Sequence, residues 1–483
     1  MTDPSTLLSI DQGTTSSRAI LFSKEADILD VSQKELTLHY PNKGWVEQDA
    51  HDIWHDTLSC CKKILDRAQQ KPKAIGITNQ RETTVVWDKA TGEPIYNAIV
   101  WQDRRTKDVC AALKESGHEA LVTQKTGLLL DPYFSATKIQ WILDHVEGAR
   151  ARAEAGDLLF GTIDCYLIWK LTNGAVHATD VTNASRTMLY NVVEQKWDEE
   201  LLALFKVPAS MLPNVCDNVA HYGDTDERVL GAVLPIGGVA GDQQAALIGQ
   251  GCFKPGMIKA TYGTGCFALM HIGDQFKASE NRLLTTVAYR VEGQIQYAVE
   301  GSIFVAGAAV QWLRDNLKFF DDAAQSEVLA RSVSDSNEVY FVPAFTGLGA
   351  PYWNPDARGV IAGITRETSK AHITRAALEA QAYQTLDLVD AMESDGGHAV
   401  DIMRVDGGLV ANSFMCQFLS DMLNCEVQVP KTLETTAWGA AVLAGIYAGV
   451  FEDLQSAAES WQCVKSYEPE MGEDERNKNR DGW

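Results

Sequence analysis

Short apolar runs of strand length alternate along the chain with longer segments in which apolar residues recur at helical spacing. This alternation predicts an α/β protein with helices layered against a central sheet. Near the start of the chain, apolar residues 7–10 and 19–22 flank a polar stretch, residues 11–18, that is rich in small and hydroxyl side chains. The pattern predicts a β-hairpin with a polar tip.

A similar pattern returns in the middle of the chain. Residues 257–262 and 266–271 have the composition of strands, and the glycine-rich segment 263–265 separates them. Two hairpins of the same design suggest a duplicated fold with two related halves.

The chain is expected to divide into two domains and a tail. We place the first domain at residues 1–251 and the second at 252–465, with the boundary beside the turn-forming segment 253–256. Residues 466–483 are charged and almost free of aliphatic side chains, so we expect a mobile or loosely docked tail.

Composition narrows the possible functions. The 483 residues exceed what one compact core needs, and 42 basic against 65 acidic residues give a net charge of −23. Such a field repels phosphate backbones and anionic membranes, which disfavours nucleic-acid binding. Ten cysteines without a Cys-x-x-Cys motif, and no visible export signal, predict a reduced cytoplasmic protein. Residues 435–451 are uncharged but short and interrupted by glycine, so we expect a buried core helix.

The tip of the first hairpin is a candidate phosphate site. Asp11 follows a buried strand and could hold Mg²⁺, while the hydroxyl and N–H groups of the turn could bind phosphate oxygens. Arg18 would add positive charge. The alternative is an ordinary Asp-Gly turn with surface hydroxyls, and neither the Walker phosphate loop nor the dinucleotide fingerprint occurs in the chain.

A second candidate is the pair Arg81 and Glu82, which lies between apolar residues 74–77 and 85–87. A guanidinium that donates and a carboxylate that accepts would suit the adjacent hydroxyls of a small polyol. The alternative is a hairpin with a cross-turn ion pair. Trp101 and Tyr133 are candidate pocket walls, although aromatic residues more often belong to a core.

A third candidate is Asp242, which follows a glycine-rich apolar run, residues 237–241, at the start of a predicted helix. It could be the helix N-cap. It could also project from the carboxyl edge of the sheet, where ligands of open α/β folds bind, and take a proton from a hydroxyl. Gln243 could then orient that hydroxyl.

Two pairs in the second half have the spacing of one helix face. Gly307 with Gln311, and Gly408 with Asn412, lie four residues apart. Glycine at these helix starts would let a flat nucleotide approach, and the alternative is tight helix packing.

Together these segments resemble the signature regions of the FGGY carbohydrate kinases. The matching regions are 11–18, 78–84, 101–106, 179–187, 241–247 and 406–412, with the two family patterns at 133–141 and 359–379. The resemblance runs from about residue 7 to residue 449 in the right order. It implies two actin-like (RNase H-like) ATPase domains with the active site in the cleft between them.

The resemblance also implies roles for individual residues, and it points to the members of the family that phosphorylate glycerol. The implied polyol site consists of Arg81, Glu82, Trp101, Tyr133, Asp242, Gln243 and Phe267. The implied ATP contacts are Thr14, Thr15, Ser16, Arg18 and Thr264 at the phosphates and Gly307, Gln311, Gly408 and Asn412 at the nucleoside, with Asp11 holding Mg²⁺. Asp242 would be the general base for transfer of the γ-phosphoryl group to glycerol.

Two other functions remain open at this point. A kinase of the same family for a ketose such as xylulose or ribulose would share the hairpins and Asp242 but should lack the Arg81–Glu82 pair. An actin-like ATP switch protein would share the phosphate hairpins without a polyol pocket. The resemblance further implies a homo-oligomer, a dimer or tetramer. In some members of the family, regulation depends on residues that are replaced here by Val233 and Arg228. The resemblance therefore does not imply the same regulation for this chain.

Overall fold

The computed structural model of the protein describes residues 5–354 and 356–483. It contains two halves of related design, joined by the segment between residues 249 and 258. The first half contains β1 (Thr6–Gln12), β2 (Ser16–Ser23), β3 (Ile28–Glu35), β4 (Glu47–Gln48), α1 (Ala50–Arg67), β5 (Ile75–Asn79), β6 (Val85–Asp88), β7 (Ala98–Ile99), α2 (Lys107–Glu115), α3 (Glu119–Thr126), α4 (Ser135–His145), α5 (Ala149–Ala155), β8 (Leu158–Gly161), α6 (Ile163–Leu171), β9 (Ala178–Asp180), α7 (Val181–Ala184), β10 (Tyr190–Asn191), β11 (Lys196–Trp197), α8 (Glu199–Phe205), a 3-10 helix (Ala209–Met211), β12 (Asn214–Cys216), α9 (Glu227–Leu230), β13 (Ile236–Gly241) and α10 (Asp242–Gly249). The second half contains β14 (Ile258–Tyr262), β15 (Cys266–Gly273), β16 (Leu284–Val291), β17 (Gln294–Ile303), α11 (Gly307–Asp315), α12 (Gln325–Arg331), β18 (Tyr340–Val342), β19 (Val360–Ala362), α13 (Lys370–Gly396), β20 (Ile402–Asp406), a 3-10 helix (Gly408–Ala411), α14 (Ser413–Leu423), β21 (Glu426–Pro430), α15 (Thr435–Tyr447), α16 (Leu454–Ala458), β22 (Cys463–Tyr467) and α17 (Glu473–Gly482).

The first half is built on a five-stranded sheet of order β13-β5-β1-β2-β3. The hairpin β1–β2 is antiparallel, as the sequence predicts, and β5 and β13 add to β1 in parallel. The register aligns Gln12 with Asn79 and Asn79 with Gly241. Because parallel strands end at one edge, the residues that follow β1, β5 and β13 meet there.

The second half repeats this design in a seven-stranded sheet of order β16-β17-β15-β14-β20-β21-β22. Its hairpin β14–β15 is antiparallel, and β20 pairs with β14 in parallel so that Thr261 lies opposite Asp406. The predicted duplication of the hairpin unit is therefore confirmed.

The helix α15 returns from the second half and packs on the first sheet. It is buried, as predicted for residues 435–451, and its glycines permit a close approach to neighbouring backbone. A Cβ atom on Gly439 would collide with the carbonyl oxygen of Ala245 in α10, and one on Gly76 in β5 would collide with that of Ala440. The two halves are thus joined by packed helices as well as by the chain, while the division at residues 251/252 stays a prediction.

The tail differs from the sequence-based expectation. Strand β22 pairs with β21 at the sheet edge, and the ring of Trp483 stacks on Tyr383 with centroids 5.1 Å apart. The Trp483 indole also donates a hydrogen bond of 2.8 Å to Asp387. Ion pairs and one terminal aromatic residue therefore dock a segment whose lack of aliphatic side chains suggested loose attachment.

None of the helices within residues 5–354 and 356–483 has the length and apolar character that crossing a bilayer requires.

Candidate active site

A cavity of about 910 Å³ opens between the two sheets, and residues of both halves line it. The first half contributes Trp101 and Tyr133 among others, and the second half contributes Thr264, Phe267 and Glu300. Of the predicted site residues, Trp101, Tyr133, Thr264 and Phe267 line this cavity, whereas Arg81, Glu82, Asp242 and Gln243 do not. A cleft lined by both halves, which the family resemblance implies, is therefore present.

Arg81 lies just beyond the end of β5, and only 2% of it is exposed. Its Nη1 donates to Glu300 at 2.5 Å and to Gln244 at 3.4 Å, and its Nη2 donates to Glu300 at 2.9 Å and to the Tyr133 hydroxyl at 3.3 Å. Its Nε lies 3.1 Å from Oδ1 of Asp242. All the nitrogens of the guanidinium thus face protein acceptors.

Glu82 and Arg81 do not form a cross-turn hairpin, since β6 pairs with β8 and not with β5. Oε1 of Glu82 accepts a hydrogen bond of 2.7 Å from Nε of Arg186, and it lies 3.7 Å from Nε of Arg81. Oε2 of Glu82 accepts no hydrogen bond from the residues that the structure describes. The carboxylate therefore keeps one oxygen for a ligand.

Glu300 and Arg186 complete a buried ring of four charges with Arg81 and Glu82. Oε1 of Glu300 accepts a hydrogen bond of 3.0 Å from Nη2 of Arg186. Burial disfavours the ionised carboxyl of Glu300, but the two guanidiniums outweigh it and hold its pKa at about 2. Sequence reasoning missed Glu300 and gave Arg186 no role. A lone glutamate in a buried strand was the available signal.

Asp242 is the first residue of α10, and the N-cap position belongs to Gly241, so the N-cap interpretation is wrong. The Asp242 side chain is 33% exposed, and its Oδ1 accepts the Gln243 N–H at 2.7 Å. Burial raises the pKa of Asp242 to about 6, and the charges of Arg81 and Lys259 oppose this rise. A carboxyl with such a pKa is mostly ionised at pH 7 and can accept a proton.

Lys259 of β14 is a further residue that sequence reasoning missed. It is fully buried, and its Nζ donates a hydrogen bond of 2.6 Å to Oε1 of Gln243. Burial lowers its pKa, while Asp406 and Asp242 favour the charged form. A side chain of the second half therefore holds a predicted polyol ligand of the first half.

Three aromatic rings form one wall of the site. Trp101 contacts Tyr133 with ring centroids 5.5 Å apart and Phe267 with centroids 6.4 Å apart, both in edge-to-face geometry. The Trp101 indole donates a hydrogen bond of 2.8 Å to Oγ1 of Thr14 in the first hairpin. The predicted polyol residues are therefore contiguous, and Trp101 links them to the predicted phosphate residues.

The tip of the first hairpin carries its own ion pairs. Arg18 pairs with Asp11 and, at 2.7 Å, with Glu434 at the start of α15. Thr15 is exposed and Ser16 is half-buried, so both residues are at least partly accessible to a ligand. Arg18 is thus an interdomain contact as well as a candidate phosphate ligand.

The residues present fit a magnesium ion that arrives with a nucleotide. Within the described residues, no group of three or more His, Cys, Asp or Glu side chains could hold a metal alone. Mg²⁺ usually binds one or two carboxylates, waters and substrate phosphates. Oδ1 of Asp11 accepts no hydrogen bond from the described part of the chain and suits such a shared site.

The second hairpin rests on the start of α11. The carbonyls of Gly263 and Thr264 accept hydrogen bonds from the N–H groups of Gly307 and Ala306, at 2.9 and 2.8 Å. A Cβ on Gly307 would come within 2.6 Å of the Gly263 carbonyl oxygen. Close packing therefore explains the glycine at 307.

The other predicted nucleoside residues have varied surroundings. A Cβ on Gly408 would meet nothing within 4 Å, so open space lies beside it. Asn412 is the N-cap of α14, accepting the Met415 N–H at 3.0 Å, and Gln311 is exposed. Within the described chain, Gln311, Gly408 and Asn412 do not line the 910 Å³ cavity.

The class of protein follows from two related α/β domains on either side of a cleft with an aromatic wall. Models of the FGGY family of carbohydrate kinases match the chain, the N-terminal domain at residues 6–249 and the C-terminal domain at residues 258–448. The chain belongs to the FGGY family of carbohydrate kinases, as the resemblance indicates, and its fold is the actin-like fold of that family.

Individual relatives sharpen this assignment. The chain is 62% identical to a glycerol kinase of Nitrosomonas eutropha, over 100% of this chain and 97% of the relative. It superimposes on the crystal structure of Plasmodium falciparum glycerol kinase with ADP at a TM-score of 0.95 and 36% identity, covering 99% of this chain and 97% of that one. A xylulose kinase from Lactobacillus acidophilus, at TM-score 0.90 and 21% identity over 99% of this chain and 96% of that one, shares the fold.

Proposed function

We propose that the chain is an ATP-dependent glycerol kinase. It transfers the γ-phosphoryl group of MgATP to a terminal hydroxyl of glycerol and yields sn-glycerol 3-phosphate, the first step of glycerol catabolism. The observation that carries this proposal is the convergence of the donor Arg81, the acceptor Glu82 and the carboxylate of Asp242, with Arg81 bonded to Tyr133 of the aromatic wall. The sequence identity to glycerol kinases supports the same substrate.

Glycerol would replace the weaker contacts around Arg81. The hydrogen bonds to Tyr133 and Gln244, at 3.3 and 3.4 Å, are longer than the bonds to Glu300. A hydroxyl could displace them and accept from Nη1 or Nη2 while donating to Oε2 of Glu82. Trp101 and Phe267 would then cover the carbon chain. A three-carbon triol suits this combination of one donor, one acceptor and an apolar wall.

Asp242 would act as the general base. Its side chain is 33% exposed and its carboxyl is mostly ionised at neutral pH, so it could take the proton of the attacking hydroxyl. Phosphoryl transfer passes through a loose transition state, and positioning with charge neutralisation supplies most of the acceleration. Gln243, held by Lys259, would orient the acceptor hydroxyl.

The two hairpin tips would hold the nucleotide. Thr14, Thr15, Ser16, Arg18 and Thr264 would bind the phosphates, and Gly307, Gln311, Gly408 and Asn412 would line the nucleoside pocket. Mg²⁺ bound beside Asp11 would neutralise charge on the β- and γ-phosphates. Closure of the two domains, at 1–251 and 252–465, would exclude water from the site. The homo-oligomeric state and the cytoplasmic location stay predictions.

The test is release of ADP from MgATP by the purified protein with no acceptor, glycerol, dihydroxyacetone, xylulose or ribulose. We expect glycerol-dependent turnover of at least ~1 s⁻¹, within the usual range for kinases. Turnover with xylulose or ribulose but not with glycerol would be compatible with Asp242 as the base. It would contradict the assignment of Arg81 and Glu82 to a glycerol site. A slow rate that no acceptor changes would favour an ATP switch.

A further inference from the structure

One carboxylate of the second half reaches across the cleft into the polyol site. Glu300 lies in β17, is 2% exposed, and presents both oxygens to guanidiniums of the first half. Oε2 and Oε1 accept from Nη1 and Nη2 of Arg81 at 2.5 and 2.9 Å, which is a bidentate pair. Oε1 also accepts from Arg186 at 3.0 Å.

This pair decides which edge of Arg81 faces the proposed base. A guanidinium can form a two-point bond along the edge made by Nη1 and Nη2 or along an edge that includes Nε. Glu300 holds the first edge, and Asp242 is left with a single contact of 3.1 Å to Nε. Without Glu300, Arg81 would be free to turn and pair with Asp242 and Glu82, the remaining acids beside it.

We propose that Glu300 is a positioning residue for phosphoryl transfer, which holds the guanidinium of Arg81 in the plane that binds the polyol and prevents it from capturing Asp242. The inference rests on the proposed function and adds a residue of the opposite domain to its polyol site. Because Glu300 belongs to the second sheet, the polyol site is complete only when β17 stands against the first half.

The first test is Glu300→Gln, which keeps the shape and removes the charge. We expect kcat/KM for glycerol to fall by ~10²-fold, with a higher KM for glycerol and a lower kcat, because small displacements of a clamp are costly. The KM for MgATP should stay within about twofold. Glu300→Asp, which keeps the charge but shortens the side chain, should recover part of the loss.

A matched control separates positioning from folding. Glu379→Gln removes a buried carboxylate that pairs with Arg375 at 2.7 Å on α13. It should leave both KM values and kcat unchanged in protein that is folded by circular dichroism. If Glu300→Gln also leaves glycerol kinetics within about twofold of wild type, the positioning role is wrong.

A double-mutant cycle tests whether Glu300 acts through Arg81. In an Arg81→Gln background, adding Glu300→Gln should change kcat/KM for glycerol by less than about threefold, because the partner is already gone. Independent effects that multiply would overturn the proposal. If Glu300→Gln does not fold, the same cycle is run with Glu300→Asp.

The acid limb of the pH profile of kcat/KM is a further readout. A smaller fraction of folded protein would lower the activity at every pH but would not change the pH at which the activity falls. The charged groups that face Asp242 are Arg81, Glu82 and Lys259. An Arg81 released by Glu300→Gln would pair more fully with Asp242 and shift the acid limb of kcat/KM to lower pH, and an unmoved limb would contradict the inference. Absence of glycerol-dependent turnover in the wild type would instead overturn the proposed function.

Discussion

Nε of Arg81 lies 3.1 Å from Oδ1 of Asp242, so the proposed polyol clamp and the proposed base form an ion pair within the protein itself. The pair is incomplete, since Glu300 binds the other edge of the guanidinium. Burial accordingly outweighs Arg81 and leaves the pKa of Asp242 raised to about 6. An aspartate that is ionised at neutral pH but still basic suits proton abstraction.

Asp242→Asn should lower kcat by ~10²–10⁴-fold while glycerol still binds, because an amide keeps the shape but accepts no proton. Calorimetric titration with glycerol and ADP-release kinetics measure the two effects. In the wild type, kcat/KM should fall as pH drops through about 6, since protonation removes the base. Asp144→Asn changes an exposed acid and should alter neither quantity. Turnover of Asp242→Asn within a few-fold of wild type would exclude Asp242 as the base.

Lys259→Gln should shift the acid limb of the kcat/KM profile to higher pH. Its ammonium stabilises the ionised carboxylate of Asp242, so its removal raises the pKa of that carboxyl further. The loss of the bond from Nζ to Gln243 should also raise the KM for glycerol. Lys431→Gln, which removes an exposed lysine paired with Asp27, is the control and should leave the profile in place. A limb that stays or moves to lower pH would contradict this role of Lys259.

Trp101→Phe should raise the KM for glycerol and for MgATP by ~3–10-fold each. The indole forms part of the wall of the polyol site and donates a hydrogen bond to Thr14 in the phosphate hairpin. One such hydrogen bond contributes about 1 kcal/mol to stability or binding. Steady-state kinetics with each substrate varied in turn give the two constants. Trp169→Phe, which alters a tryptophan packed on Trp87 away from the cleft, should change neither. A higher KM for glycerol with an unchanged KM for MgATP would show that the role of Thr14 in phosphate binding does not depend on Trp101.

Local patterns predicted the parts of the fold that depend on near neighbours in the chain. The hairpins at β1–β2 and β14–β15 and the buried helix α15 follow from short apolar runs and their polar turns. The contacts of Glu300 and Lys259 could not be predicted in this way, because they depend on how two sheets face each other. Each is a lone charge in a buried strand, and such a charge requires a partner from elsewhere in the fold.

The contacts of Gly307 and of the C-terminal tail could not be predicted from local sequence patterns either. Spacing placed Gly307 on a helix face, but only the structure shows the Gly263 carbonyl against it. The charged composition of residues 466–483 indicated a loose tail, whereas Trp483 and Arg480 bind Asp387 and Asp390 on α13. Composition describes the average of a segment, and docking is decided here by single side chains.

Gly439→Ala should destabilise the contact between the two halves. The added methyl group would meet the carbonyl oxygen of Ala245, and rigid backbone in α10 cannot yield as a side chain would. Overpacking of this kind costs about 3 kcal/mol, and the melting midpoint should fall by roughly 5–10 °C in calorimetry. Gly472→Ala adds its methyl group to open space at the start of α17 and should lower the midpoint by only about 2 °C, through the helix cap. Equal midpoints for the two variants would mean that α10 and α15 separate readily, and the close glycine contact would then be unnecessary for joining the domains.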